Sequence, residues 1–318
     1  VRRSRSPREL ARRQVSVLVP ASSANLGVGY DVLALALELH LEVSIEAVDA
    51  GEHVLEVDGE GAGRLAVDDS NRFLTGFWRG LLDAGARWPG ALHVRMRNDI
   101  PLGRGLGSSA AATVAGLLAA GALAGTERDD ERLLAHAAEI EGHAENAAAS
   151  LHGGFVACAA GRVVRYDPPP GLRAAVLVPD RELATAEMRA ALPQTVAHAD
   201  AVHNLGRAAM LVSAFASGDQ SLLWAMNEDR LHEPYRAAVY PELPELLRAA
   251  RDAGAVGAAL SGAGSSVIAL CRDDATTTVV AAALTAAARL AGLAGSARIL
   301  VPAAGGAQVL EGTAPAER

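Results

Sequence analysis

The hydrophobic and polar positions of this chain predict strands first and helices afterwards. The run VSVLVP from Val15 predicts a strand. After the loop ASSANLGVG an apolar run leads into LELHLEVSIEA, where alternation over 38–46 predicts a half-buried strand. Segments 53–57 and 92–98 predict two more strands, with a helix around 73–84 between them. Past Pro101 three glycines precede a stretch of alanine, leucine and valine suited to a buried helix, and a second helix is predicted from Asp129 to about Glu141. FVACA and VVRYD read as strands, and PPPG at 168–171 as a linker. The second half opens with a strand over 174–179 and continues through helical patterns near 185–192, 199–217, 219–229 and 242–253. GAVGAALSGAGSSVIAL then predicts strand, glycine turn and strand. A helix near 275–290 and a strand near 307–311 close the second domain. Strands and helices mix without regular alternation, which predicts an α+β class in two halves rather than a doubly wound sheet. The expected division is a disordered basic extension over 1–13, domains over 14–167 and 172–312, and a flexible tail over 313–318.

Length agrees with two domains, since 318 residues is about twice a typical domain of roughly 150. No stretch reaches the roughly 18 consecutive apolar residues of a membrane-spanning helix, and no apolar signal core follows the basic N-terminus, so a cytoplasmic protein is expected. Cys158 and Cys271 are far apart and suggest neither a disulfide framework nor a cysteine zinc site. All 29 basic residues are arginine. The absence of lysine excludes a Walker A loop, a protein-kinase strand lysine and a pyridoxal Schiff base. Six arginines against Glu9 give residues 1–13 a net +5, leaving −13 for the remainder of a chain whose total is −8. That basic segment has no aromatic residue and no apolar face, so neither a nucleic-acid nor a membrane partner is expected.

The stretch GRGLGSSA carries candidate chemistry. Main-chain amides approach a polyphosphate closely only where side chains are absent, and the start of a helix is electrically positive. Gly103, Gly105 and Gly107 supply the first condition, and Ser108 and Ser109 place hydroxyls at the helix start for phosphate or Mg2+. The same glycines also serve a tight turn or close helix packing.

PLGRGLGSSAA, comprising Pro101, Leu102, Gly103, Arg104, Gly105, Leu106, Gly107, Ser108, Ser109, Ala110 and Ala111, resembles the ATP-binding motif of the GHMP kinases, a superfamily of small-molecule kinases. PASSANLGVGYD (20–31) resembles the N-terminal motif of the homoserine-kinase branch, and AALSGAGSSVIAL the superfamily's C-terminal motif, with Ser265 where proline commonly stands. EGHAENAAASLHGGF (141–155) is similar to that branch's E-G-H-P-D-N-V-A-P segment, with Ala144, Glu145 and Ala149 departing from it. The resemblance implies a two-domain GHMP kinase fold, an N-terminal half like ribosomal protein S5 domain 2 and a C-terminal ferredoxin-like α/β sandwich. It also implies ATP and Mg2+ as cofactors, L-homoserine as substrate and a homodimer. The other readings are a mevalonate-pathway or shikimate kinase, or a relative that binds ligand without turnover.

Within that resemblance, TAEMRAALP and HEPYR supply Arg189 and Arg236 for the substrate carboxylate, while Asp31 with Asn25 holds its ammonium. Each arginine alone, without the resemblance, reads rather as a surface residue, and Asp31 equally as a turn or capping residue. Gly262 and His143 join the substrate pocket, the histidine reading equally as a local structural hydrogen bond. Glu141 with Ser109 forms the Mg2+ site, with Glu139 as rival. Asn146 stands where several relatives carry a basic aspartate; an amide is no base, so it orients the hydroxyl while the γ-phosphate accepts the proton. Asn71 reads either as part of the adenine pocket or as a helix N-cap.

Overall fold

The computed structural model describes residues 8–68 and 70–310. Strands β1 (Gln14–Ala24) and β2 (Leu33–Val48) pair antiparallel along their length, with a register shift between Pro20 and Ala21. β2 runs well beyond 38–46 because it has two further partners. β3 (Val54–Gly59) lies parallel to β4 (Ala91–Asn98), which pairs with residues 41–48 of β2; β5 (Phe155–Ala159) pairs with residues 33–35. β6 (Arg162–Tyr166) adds to β5.

Four helices, α1 (Arg72–Ala84), α2 (Ser108–Ala124), α3 (Asp130–Glu141) and α4 (Glu145–His152), complete this half. α2 is apolar all round, with Ala110, Val114, Leu117 and Leu123 all buried, as a helix enclosed by its own core must be. No element was expected over α4: its alanines show no apolar period, and burial between β1, β2 and α2 holds it helical.

The second half contains β7 (Arg173–Pro179), α5 (Thr185–Ala190), α6 (His198–Ser217), a 3-10 turn over Gln220–Met226 where a helix was expected, and the short α7 (Glu233–Arg236). α8 (Leu243–Asp252), β8 (Gly257–Leu260), β9 (Val267–Cys271), α9 (Asp274–Leu290) and β10 (Gly295–Leu300) follow. Its sheet has the order β10-β7-β9-β8, antiparallel throughout. β10 escapes the sequence reading because it is an edge strand with Ser296, Arg298 and Ile299 all exposed.

Two expectations about boundaries are corrected. The last strand, β11 (Gln308–Leu310), does not close the second half: it pairs with β1, so the chain returns to the first sheet. α6 also packs on the first core, where Phe215 stacks on Phe155 with ring centroids 3.9 Å apart. Residues 8–13 of the expected disordered extension are bonded into the fold, with the amides of Ala11 and Arg12 donating to Leu123 O at 2.8 and 3.1 Å and Leu10 packed on the core. Residues 1–7 and the expected flexible tail at 313–318 lie outside the described residues. No helix among the described residues is long and apolar enough to cross a membrane.

Candidate active site

The glycine loop lies where the two halves meet. Gly103, Gly105 and Gly107 all have positive φ (65°, 77° and 72°), and Gly107 caps α2 without any side-chain hydrogen bond, leaving the first helical amides free to face an anion. The C-terminal motif forms the back of the loop. A β-carbon at Gly105 would collide with the carbonyl oxygen of Ser261, and one at Gly107 with Ser22 Oγ. Ser261 Oγ donates to Gly105 O (2.7 Å), Gly262 N to Ala24 O (3.0 Å) and Ser266 N to Arg104 O (3.0 Å). Arg104 lines the cleft and donates to Pro179 O (2.7 Å) and Asp180 O (2.8 Å). Ser265, buried, donates its hydroxyl to Arg181 O where the motif usually has proline.

At the same helix start, Glu141 accepts from Ser109 Oγ and from Thr113 Oγ1, each at 2.6 Å, and its side chain is 5% exposed. The pair Ser109–Glu141 thus offers two hard oxygens beside the free amides of the helix start, a donor set suited to Mg2+ that also takes ligands from a nucleotide. Glu139, the rival, points to solvent and pairs with Arg79 at 2.7 Å. Thr113 was not singled out from sequence; its place one turn after Ser109 is the signal that could have found it.

The cleft encloses about 230 Å³ and continues from the loop past Asn146 and His143 to Asp31, Arg189 and Arg236. Arg189 forks onto Asp31 at 2.8 and 2.9 Å and also donates to Tyr30 Oη (2.9 Å). The bond to Asp31 holds the Arg189 guanidinium more firmly protonated than usual, while burial and the Asp31 charge push the Tyr30 phenol up. Arg236 is only 2% exposed and, among the described residues, makes no ion pair with a carboxylate. Its NH1 donates to Gly262 O at 2.9 Å, and its guanidinium lies 5.4 Å from the Tyr30 ring centroid. Burial disfavours its charge. A carboxylate entering here would meet an ionised arginine that lacks an anion.

Asn25 differs from expectation. Its Nδ2 donates to Gly262 O (2.9 Å) and its Oδ1 accepts from Asp31 N (3.0 Å), so its amide braces the loop. Asn71 is the N-cap of α1: it accepts from Phe73 N and Leu74 N, donates to Ala66 O and does not reach the cleft. His143 Nδ1 stands 3.1 Å from Glu145 Oε1, a bond that raises the pKa of the ring. Asn146 Oδ1 accepts from Ser22 Oγ (3.0 Å), which turns the amide NH2 away from the serine. A second hollow of about 260 Å³ between α1, α2 and α3 opens on a helix start that Asp129 already caps.

Comparison with known proteins agrees with this geometry. The family models described as GHMP kinases N terminal domain and GHMP kinases C terminal match residues 72–154 and 211–290. A homoserine kinase of Mycobacterium sp. (strain JLS) is 46% identical over 267 residues, covering 80% of this chain and 84% of the relative. One from Deinococcus radiodurans is 42% identical over 266 residues, covering 82% and 85%. The crystal structure of homoserine kinase from Cytophaga hutchinsonii superposes with a TM-score of 0.85 at 30% identity, covering 94% of this chain and 98% of that one. L. major mevalonate kinase, with a TM-score of 0.66 at 16% identity over 94% of this chain and 99% of its own, shares the fold alone. With an uncapped glycine-led helix, a serine–glutamate pair and an anion-less arginine in one cleft, and with relatives of this similarity over four-fifths of its length, the chain belongs to the homoserine kinases of the GHMP superfamily.

Proposed function

We propose that the protein transfers the γ-phosphoryl group of ATP to the side-chain hydroxyl of L-homoserine, giving O-phospho-L-homoserine for threonine biosynthesis. The observation that carries this is the Asp31–Arg189 ion pair beside the buried, anion-less Arg236. A zwitterionic amino acid exchanges one internal ion pair for three: its ammonium replaces Arg189 at Asp31, and its carboxylate takes Arg189 and Arg236. A hydroxy acid such as mevalonate or shikimate breaks the same pair and returns no cation to Asp31, which disfavours the rival kinase readings. A relative without turnover is disfavoured by the intact loop glycines and Glu141.

The amides at the start of α2 hold the phosphates, and the helix dipole stabilises their charge. The NH2 of Asn146 donates to the substrate oxygen and orients it. Among the cleft carboxylates, Asp31 is engaged with Arg189 and Glu141 with Ser109 and Thr113, while Glu145 has Oε1 against His143 and its other oxygen buried without a partner. In this reading the proton passes to a γ-phosphate oxygen as the O–P bond forms and ADP leaves, a route that a loose transition state permits because it demands little activation of the nucleophile. Ser109 and Glu141 would hold Mg2+, which when bound neutralises phosphate charge.

The cytoplasm is the proposed compartment and a homodimer the proposed assembly. The exposed apolar residues Val202, Leu205 and Met210 on α6 support the latter, and light scattering checks it. The activity is tested by ADP release with ATP and homoserine, mevalonate or shikimate. Turnover with homoserine alone is expected; equal turnover with shikimate would refute the assignment of Asp31.

A further inference from the structure

The hydrogen bonds that Nε and NH1 of Arg236 make go to neutral acceptors, and one of these is another side chain. Besides Gly262 O, NH1 faces His232 Nδ1 at 3.2 Å, and Nε reaches Met188 O at 3.4 Å. Arginine donates and never accepts, so Nδ1 of His232 must be unprotonated. The opposite nitrogen, Nε2, lies 2.7 Å from Gly27 O, which only accepts, so Nε2 carries the proton. The two contacts fix one neutral tautomer from both sides. The ring is wholly buried and lies against Tyr30 with centroids 5.3 Å apart. Burial and the charge of Arg236 push its pKa down, while Asp229 opposes them. Asp229 accepts from the amides of His232 and Glu233 (2.8 Å each) and from Asn204 Nδ2 (2.6 Å), and its Oδ2 stands 3.7 Å from Nε2, an acceptor that agrees with a proton there.

We infer that His232 is a positioning residue for substrate: its imidazole ties the Arg236 guanidinium to the Gly27 carbonyl and so sets the spacing between the carboxylate clamp and Asp31. Gly27 and Asp31 lie on the loop after β1, and Arg236 on α7, so the groups that grip the two charged ends of the amino acid come from different halves of the chain. The inference rests on the homoserine reading above.

Two isosteres separate the bonds. The amide of asparagine overlays Nδ1 and that of glutamine overlays Nε2. His232→Gln therefore keeps the link to Gly27 and loses the acceptor for Arg236, whereas His232→Asn keeps that acceptor. Loss of one hydrogen bond to a charged group corresponds to about a tenfold change. For His232→Gln, KM for homoserine is expected to rise about tenfold, with kcat and KM for ATP within about twofold. For His232→Asn the rise should be clearly smaller. Equal rises in both variants, or a change in KM for ATP instead, would overturn the inference. Because a wholly buried site is sensitive to substitution, the wild-type protein labelled with 15N-histidine is also measured near neutral pH without substrate. A proton on Nε2 and a bare Nδ1 support the tie, and a protonated Nδ1 overturns it even if both variants fail to fold. If wild-type protein shows no homoserine-dependent turnover, the substrate reading fails alone, and the tautomer still decides whether the His232–Arg236 link exists.

Discussion

Asn146 presents its amide with the carbonyl oxygen occupied by Ser22 and one NH2 hydrogen directed at Glu145 Oε1 (3.5 Å), so the other NH2 hydrogen is left for a substrate. An orienting group of this kind contributes through geometry, and a misplacement of about 1 Å costs roughly 10²-fold in rate. Asn146→Ala is therefore expected to lower kcat by up to about that factor while changing KM far less, as steady-state kinetics will show. Thr113→Val removes one of the two hydroxyls that hold Glu141. Residues that orient a metal ligand typically account for 10–100-fold in affinity, so the Mg2+ concentration for half-maximal activity should rise by about that range. The glycines, Ser109 and Glu141 were legible in the sequence because they fall within compact motifs. Ser22 and Thr113 were not, since a lone hydroxyl acquires its role only from a partner that folding brings up, here 124 and 28 positions away. Asn25 and Asn71 show the converse: a polar side chain near a motif was needed by the backbone of its own loop or helix start.

α7 has four residues, too few to be stable by itself, and is held by its neighbours. Asp229 accepts from its first amides, and Glu233 accepts from Leu260 N at 2.7 Å, fastening it to β8 just before Gly262. Burial pushes the Glu233 carboxyl up from 4.5 to about 8, and the charge of Asp229 adds to this against the Leu260 amide, Arg251 and Arg236. The folded state therefore binds this proton more tightly than the unfolded state. Its contribution to stability is complete below about 4.5 and is lost progressively as pH rises towards about 8. Glu233→Gln keeps an acceptor for Leu260 N and removes the ionisation. Its Tm should match wild type near the acid end of that window and exceed it increasingly towards pH 8, by up to a few kcal/mol of stability. Equal pH dependence in the two proteins would reject the account. Such an element is hard to read from sequence, because HEPYR has neither helical length nor periodicity.

At the scale of the molecule, the order of strands and helices was largely legible, but which sheet each joined was not. Pairing partners distant in sequence leave no local pattern, which is why β11 was assigned to the wrong half and residues 8–13 to none. Removing residues 1–13 should leave kinase activity intact, since none of residues 8–13 lines the cleft. It also removes the backbone bonds to Leu123, Gly85 and Arg87 and the ion pairs Arg87–Glu9 and Arg13–Asp49. Tm should fall by at least a few degrees by calorimetry while KM for ATP stays unchanged.

The turn between β8 and β9, packed behind Gly105, has an implication for how the protein divides. A polypeptide severed within 168–171 would carry the whole nucleotide motif in its first fragment, yet that fragment would lack the wall against which the motif takes its shape. Mixed with its complement, it should regain affinity for ATP; by itself it should have little, whatever fraction of its helices has formed.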